Sequence, residues 1–235
     1  MKLAVIPARG GSKRIPRKNI KMFCGKPMIA WSIEAAVKSG CFDQVVVSTD
    51  DAEIAAVARQ YGAQVPFMRP HELSDDYTGT TAVVAHAINW FEAHEVPPRL
   101  VCCLYATAPF VSAEDLQQGL TVLTESGGDY AFSVTTYPFP IQRAIRINPA
   151  NRVEMINPEH FETRSQDLED AYHDAGQFYW GRAEAWLMKK MIFGPTSSPV
   201  LLPRHRVQDI DTLEDWTRAE WMFKALEMQI RAKKL

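Results

Sequence analysis

From Ala8 to Asn19 the chain reads Ala-Arg-Gly-Gly-Ser-Lys-Arg-Ile-Pro-Arg-Lys-Asn. A glycine pair and a hydroxyl sit among five cations: Arg9, Lys13, Arg14, Arg17 and Lys18. Glycines let backbone N–H groups approach an anion closely, arginine grips oxyanions with a planar fork, and lysine supplies a point charge. Ala8, Arg9, Gly10, Gly11, Ser12 and Lys13, with Lys18 and Asn19 behind them, therefore suit a polyphosphate. A solvated basic loop has the same composition, and neither Gly-x-x-x-x-Gly-Lys-Ser/Thr nor Gly-x-Gly-x-x-Gly is present. The second candidate is Asp209-Ile210-Asp211. In extended backbone alternate side chains share a face, so these carboxylates could hold a hard divalent cation such as Mg²⁺ while Ile210 points away. Taken alone, the tripeptide fits equally a terminal helix capped by Asp211 or Thr212; a polyphosphate loop in the same chain favours the metal.

These groups must be positioned by the elements around them. Apolar runs at 3–6, 44–48, 64–67, 100–105 and 130–135 read as strands. Helical patterns at 27–39, 51–61, 80–93 and 112–126 lie between them, with Asp50 or Asp51 and Ser112 as caps and Gly40 and Gly62 as stops. The alternation predicts an α/β fold, a Rossmann-like, mostly parallel sheet with helices on both faces. Ligands bind such sheets beyond the carboxyl ends of the strands, where loop 8–19 lies. The rhythm breaks at 138–170, a polar stretch with four prolines and short β-like pieces near 141–147 and 152–156. It returns as a strand at 176–180, a helix at 183–190, a strand at 207–210 and a terminal helix at 212–233. The expectation is one domain over residues 1–235 with a projecting arm at 138–170.

The chain has 235 residues, is 46% hydrophobic and carries a net charge of −2, which disfavours nucleic acid or an anionic membrane as partner. Residues 2–26 nevertheless hold eight Lys/Arg and no acid, a local excess suited to a small polyanion. No signal peptide or membrane span is read. Cys102 and Cys103 adjoin in an apolar run, and with Cys24 and Cys41 they read as buried free thiols. These features point to the cytoplasm.

The string from Ala4 to Ile20 resembles the N-terminal signature of CMP-sugar-acid synthetases, the cytidylyltransferases that activate nine-carbon sialic-type acids. The resemblance extends over about 3–221. It implies CTP as substrate, with Arg9, Lys13, Asp209 and Asp211 as the catalytic set and the aspartates as the Mg²⁺ site. Arg69-Pro70, followed by Glu72-Leu73-Ser74-Asp75, is similar to a recurring family string whose arginine lies near the nucleotide. Thr78-Gly79-Thr80 resembles the segment beside base and ribose, which adds Thr78 and Thr80 to the nucleotide set.

On the sugar side the chain departs from the sialic pattern. Tyr105-Ala106-Thr107 stands where Gln-Pro-Thr is usual. Arg164-Ser165-Gln166 and Tyr172-His173-Asp174-Ala175-Gly176-Gln177-Phe178-Tyr179 are altered likewise. These strings look like the branch of the family that takes pseudaminic acid, a less hydroxylated nonulosonic acid with a second acetamido group. The resemblance implies Tyr105, Thr107, Arg164, Gln166, His173, Gln177 and Tyr179 as sugar contacts. Arg164, or alternatively Arg143, would meet the sugar carboxylate, and His173 would orient the sugar or assist proton transfer. It also implies a homodimer joined through the arm. N-acetylneuraminic or legionaminic acid is the alternative substrate, and a non-catalytic nucleotide-binding regulatory module is the alternative of another kind.

Overall fold

The structure, a computed structural model, describes residues 1–232. In chain order the elements are β1 (Lys2–Pro7), β2 (Met22–Phe23), β3 (Lys26–Pro27), α1 (Met28–Ser39), β4 (Gln44–Ser48), α2 (Ala52–Gln60), α3 (Thr80–His94) and β5 (Leu100–Leu104). They continue as α4 (Ala113–Ser126), β6 (Tyr130–Thr136), β7 (Ile145–Ile147), β8 (Val153–Met155), β9 (Tyr172–Arg182), α5 (Ala183–Leu187), β10 (Ser197–Leu201) and α6 (Leu213–Ala232).

A six-stranded sheet runs β10-β6-β9-β5-β1-β4. Only β9 is antiparallel to its neighbours. Strand alternation divides the core. Ala4 and Ile6 of β1 face α1, α2 and α4, whereas Leu3 and Val5 face α3 and α5. A third cluster, Ile15, Phe23, Met28, Phe110, Ile210, Trp216 and Phe223, docks α6 against the turn that follows the basic loop.

Local chemistry sets the boundaries. Gly40 closes α1 at φ 63°. Asp51 caps α2 through the N–H groups of Glu53 and Ile54. Ser112 and Asp115 cap α4 reciprocally. Three expectations are corrected. Segment 64–67 contributes only a single bridge, Val46 to Gln64, because Pro66 has no N–H to continue a ladder. Segment 207–210 is extended chain that joins no strand among the described residues. The sheet edge is instead β10, whose Ser-Ser-Pro start hides it from apolar patterning. The helix expected at 183–190 ends at Leu187, where the chain turns through Lys189 at φ 52°. The terminal helix was expected to reach Lys233, which lies outside the described residues.

Between β6 and β9 the chain leaves the sheet. There β7 and β8 form an antiparallel hairpin, Ile145 opposite Met155. Phe139, Ile145, Ile147, Val153 and Phe161 are all exposed on this excursion.

Candidate active site

Loop 8–21 leaves the carboxyl end of β1 and is fixed by its own backbone. The Ala8 N–H donates to Ser48 O (2.9 Å). The Gly10 N–H donates to Asp50 Oδ1 (2.9 Å), and a Cβ at Gly10 would stand 2.7 Å from Asp51 Oδ2. Gly10 is thus required by close approach, while Gly11 is open on all sides. Buried Asn19 donates to Arg9 O (2.9 Å) and buried Ile15 pins the loop to the third cluster. Arg17 turns away from the cavity to Asp51 and Glu53. That pairing holds the Asp51 carboxyl down at about 2.

Beside this loop lies a cavity of about 540 Å³. Of the expected residues it is lined by Arg9, Ser12, Lys13, Lys18, Asn19, Arg69, Thr78, Thr80, Tyr105 and Thr107. Ala8, Gly10 and Gly11 are not among its lining residues. Leu73, Asp75, Asp76 and Val83 also line it and were not expected as ligand contacts. Asp76 is the most consequential: its carboxylate pairs with Arg9 (2.9 Å) and Lys13. The Asp75 carboxylate ties its own turn through the N–H groups of Tyr77 and Thr78 and the Thr78 hydroxyl (2.6 Å). A dense cationic loop needs acidic neighbours, and the Asp75-Asp76 pair was the available signal.

Arg69 is nearly enclosed. Its Nε donates to Ser74 Oγ (3.2 Å), and Nη2 stands 3.7 Å from Asp50 with no hydrogen-bond partner among the described residues. Burial lowers its pKa, and Asp50 opposes that shift. A buried guanidinium edge facing a cavity is a group built to meet an acceptor.

At the cavity's margin, Lys18 Nζ donates to Ile210 O (2.6 Å) and stands 3.4 Å from Asp211 Oδ1, which also pairs with Arg14 (2.8 Å). Ile210 is fully buried. Thr212, not Asp211, caps α6: its Oγ1 accepts from the Asp215 N–H (3.2 Å) and its N–H donates to Asp215 Oδ2 (2.8 Å). Both aspartates are therefore free of capping. Desolvation by its surroundings, then the charge of Asp211, raises the Asp209 carboxyl above its ordinary value, with Lys18 opposing. A cation would relieve this crowding. No cluster of three or more His, Cys, Asp or Glu suited to a metal occurs among the described residues. Two carboxylates at the margin of a basic cavity fit the sparse protein ligation that Mg²⁺ takes.

The expected sugar residues are placed unevenly. Tyr105 and Thr107 reach the cavity. Tyr179 is buried behind Tyr105, their ring centroids 5.4 Å apart. Gln177 is buried: Nε2 donates to Arg206 O (2.6 Å), and Oε1 lacks a partner among the described residues. His173 packs on Tyr137, with Nδ1 2.8 Å from Asp174 O. Arg164 and Gln166 are not brought to the cavity of this chain. Both are exposed on the excursion, and Arg164 closes on Asp167 (2.6 Å), three residues along a short 3-10 turn. Cys102 and Cys103 are buried thiols, raised by desolvation.

A sequence model described as Cytidylyltransferase matches residues 3–212. The chain is 50% identical over 222 residues to the pseudaminic acid cytidylyltransferase of Campylobacter jejuni subsp. jejuni serotype O:2, covering 94% of this chain and 96% of that one. It is 34% identical to the CMP-N,N'-diacetyllegionaminic acid synthase of Legionella pneumophila subsp. pneumophila, covering 93% and 94%. The fold matches CMP:2-keto-3-deoxy-manno-octonic acid synthetase complexed with CTP, at TM-score 0.67 and 17% identity, covering 100% and 99%. With a family match over most of its length and a relative this similar from end to end, the chain belongs to the cytidylyltransferase family.

Proposed function

We propose that the chain transfers CMP from CTP to pseudaminic acid, giving CMP-pseudaminic acid and pyrophosphate. The observation that carries this reading is the cavity itself. Arg9, Lys13 and Lys18 gather at one end, the paired aspartates stand at its margin, and Tyr105 and Thr107 form the other wall. The identity to a pseudaminic acid cytidylyltransferase supports the choice of sugar.

The sugar's anomeric hydroxyl attacks the α-phosphorus in line with departing pyrophosphate, so one P–O bond forms as another breaks and no covalent intermediate is needed. Catalysis is then positioning and charge stabilisation. Arg9, Ser12 and Lys13 take the phosphates, exchanging Asp76 for phosphate oxygens. Lys18, Asn19, Arg69, Thr78 and Thr80 hold the nucleoside. Asp209 and Asp211 hold Mg²⁺, which supplies charge neutralisation at the phosphates when bound.

The apolar residues of the excursion support a homodimer in which segment 138–170 covers them against a second copy and offers Arg164 to the partner's sugar. No described helix is long and apolar enough to cross a membrane, and we assign the enzyme to the cytoplasm. A second reading, legionaminic acid as substrate, is favoured by the Legionella relative. Pyrophosphate release from CTP with each nonulosonic acid in turn, with and without Mg²⁺, tests the assignment. Light scattering before and after replacing the arm by a Gly/Ser link tests the dimer, and a fully active monomer at micromolar concentration contradicts it.

A further inference from the structure

Between β10 and α6 the chain runs as a strap, residues 203–212, and this strap carries both aspartates of the proposed metal site. No ladder holds it, since 207–210 join no strand among the described residues. Arg206, three residues before Asp209, is fixed instead by side chains. Its Nη1 donates to Asp115 Oδ2 (2.7 Å) and its Nη2 to Asp115 Oδ1 (2.8 Å). Asp115 is buried at the start of α4, where Oδ2 also accepts the Ser112 N–H (2.9 Å). The Arg206 carbonyl is held as well: buried Gln177 on β9 donates to it through Nε2 (2.6 Å). The backbone oxygen of Gln177 accepts the Tyr105 N–H (2.9 Å), so one residue ties the strap to the strand end that bears the cavity wall.

Asp115, Gln177 and Arg206 do not line the cavity, and the reaction described above uses none of them. A planar fork on both oxygens of a buried carboxylate fixes orientation as well as position. The amide of Gln177 is fixed too: its nitrogen must face the carbonyl, which leaves Oε1 without a partner among the described residues. The next anchor along the strap is Ile210, whose side chain is buried and whose carbonyl accepts from Lys18 Nζ (2.6 Å). Asp209 lies between the two anchors and Asp211 directly after the second. Two carboxylates this close in sequence repel, and an unanchored strap would splay them. We infer that Arg206, Asp115 and Gln177 form a clamp of positioning residues that holds the strap with Asp209 and Asp211 set for a divalent cation before it arrives. The strap is then ordered on folding rather than on metal binding, which strengthens the binding. This rests on the proposed Mg²⁺ role of the two aspartates and deepens it.

Arg206→Ala would strand the buried Asp115 carboxylate and endanger the fold, so milder changes make the test. Arg206→Lys keeps the charge and loses the fork. Gln177→Met keeps the length and loses the donor, and no bond of Oε1 goes with it. Mn²⁺ is titrated into the full chain with CTP and no sugar acid, so that nothing turns over. Free Mn²⁺ is read by electron paramagnetic resonance, with CTP alone as the blank. Arg206→Lys is expected to weaken Mn²⁺ binding about fivefold or more and Gln177→Met about threefold, through the loss of hydrogen bonds that hold the strap. The double variant falls short of the product of the two, because both act on one strap. The dissociation constant for CTP without metal stays within about twofold, and kcat recovers as Mg²⁺ is raised. Lys190→Ala breaks a 2.8 Å ion pair with Asp129 at the opposite end of β6 and leaves Mn²⁺ affinity unchanged. A clamp that only stabilised the fold would lower the melting temperature and do the same. Mn²⁺ affinity within about twofold of wild type in both Arg206→Lys and Gln177→Met therefore overturns the inference. Failure of the wider reading looks different and takes the inference with it: the wild type then holds no more Mn²⁺ than CTP alone, and Asp211→Ala changes nothing.

Discussion

At one end of the cavity Arg9, Lys13 and Lys18 come from a single loop and meet carboxylates and carbonyls at partly exposed positions. At the other, Tyr105 rests on Tyr179, which stacks on Phe132 and donates its phenol proton to Asp174. The phosphate end can exchange Asp76 for a ligand oxygen at small cost, because exposed ion pairs contribute little. Behind Tyr105, Tyr179 is buried and tied to Asp174, so this wall is ordered before a ligand arrives. Charge recognition here is adaptable, and sugar recognition is preset.

The largest effect should come from the margin of the charged end. Asp211→Ala is expected to lower kcat by about 10²–10³ while the melting temperature holds, since what is lost is charge neutralisation in the transition state. Near-normal turnover would break the charged half of the comparison. Next, Arg9→Ala and Lys13→Ala should each raise the KM for CTP by about tenfold through lost charge-assisted hydrogen bonds. Lys2→Ala is the control. Lys26 is not, because its ammonium lies 3.6 Å from the Trp31 ring centroid and 2.7 Å from Glu34. Equal losses at Lys2, Arg9 and Lys13 would reduce the loop to a solvated basic face.

Gly10→Ala forces a Cβ against Asp51, which Arg17 and two α2 N–H groups hold in place. A loss of about 1–3 kcal/mol in urea unfolding is expected. The smallest effect sharpens the electrostatics. Asp51→Ala removes a helix cap worth about 1 kcal/mol. The folded carboxyl titrates at about 2, below an unfolded aspartate near 3.9, so its contribution is complete above about pH 4 and lost as pH falls toward 2. Asp51→Asn should therefore destabilise more at pH 7 than at pH 2; equal losses at both would remove Arg17 from the account.

Legibility in the sequence followed the same division. The loop cations and glycines are contiguous, so one short string describes the phosphate end. The strands of the sheet were legible because buried parallel strands are apolar throughout, as in β1 and β5. The edge strand β10 is polar and begins Ser-Ser-Pro, and an edge needs neither a second apolar face nor every N–H. Segment 207–210 looked like a strand because Val207 and Ile210 are apolar, but Ile210 is an anchor that sets the aspartates outward. Asp174 escaped notice because its meeting with Tyr179 depends on a slip in strand pairing, and no periodicity records that slip.

Product mass reports CMP transfer to pseudaminic acid without an intermediary assay. The purified chain is incubated with CTP, Mg²⁺ and, separately, pseudaminic, legionaminic and N-acetylneuraminic acids. The expected result is the mass of CMP-pseudaminic acid with one pyrophosphate per product, formed fastest in that reaction and lost when the divalent cation is chelated. No CMP-sugar from pseudaminic acid, or equal rates with ATP in place of CTP, would contradict it.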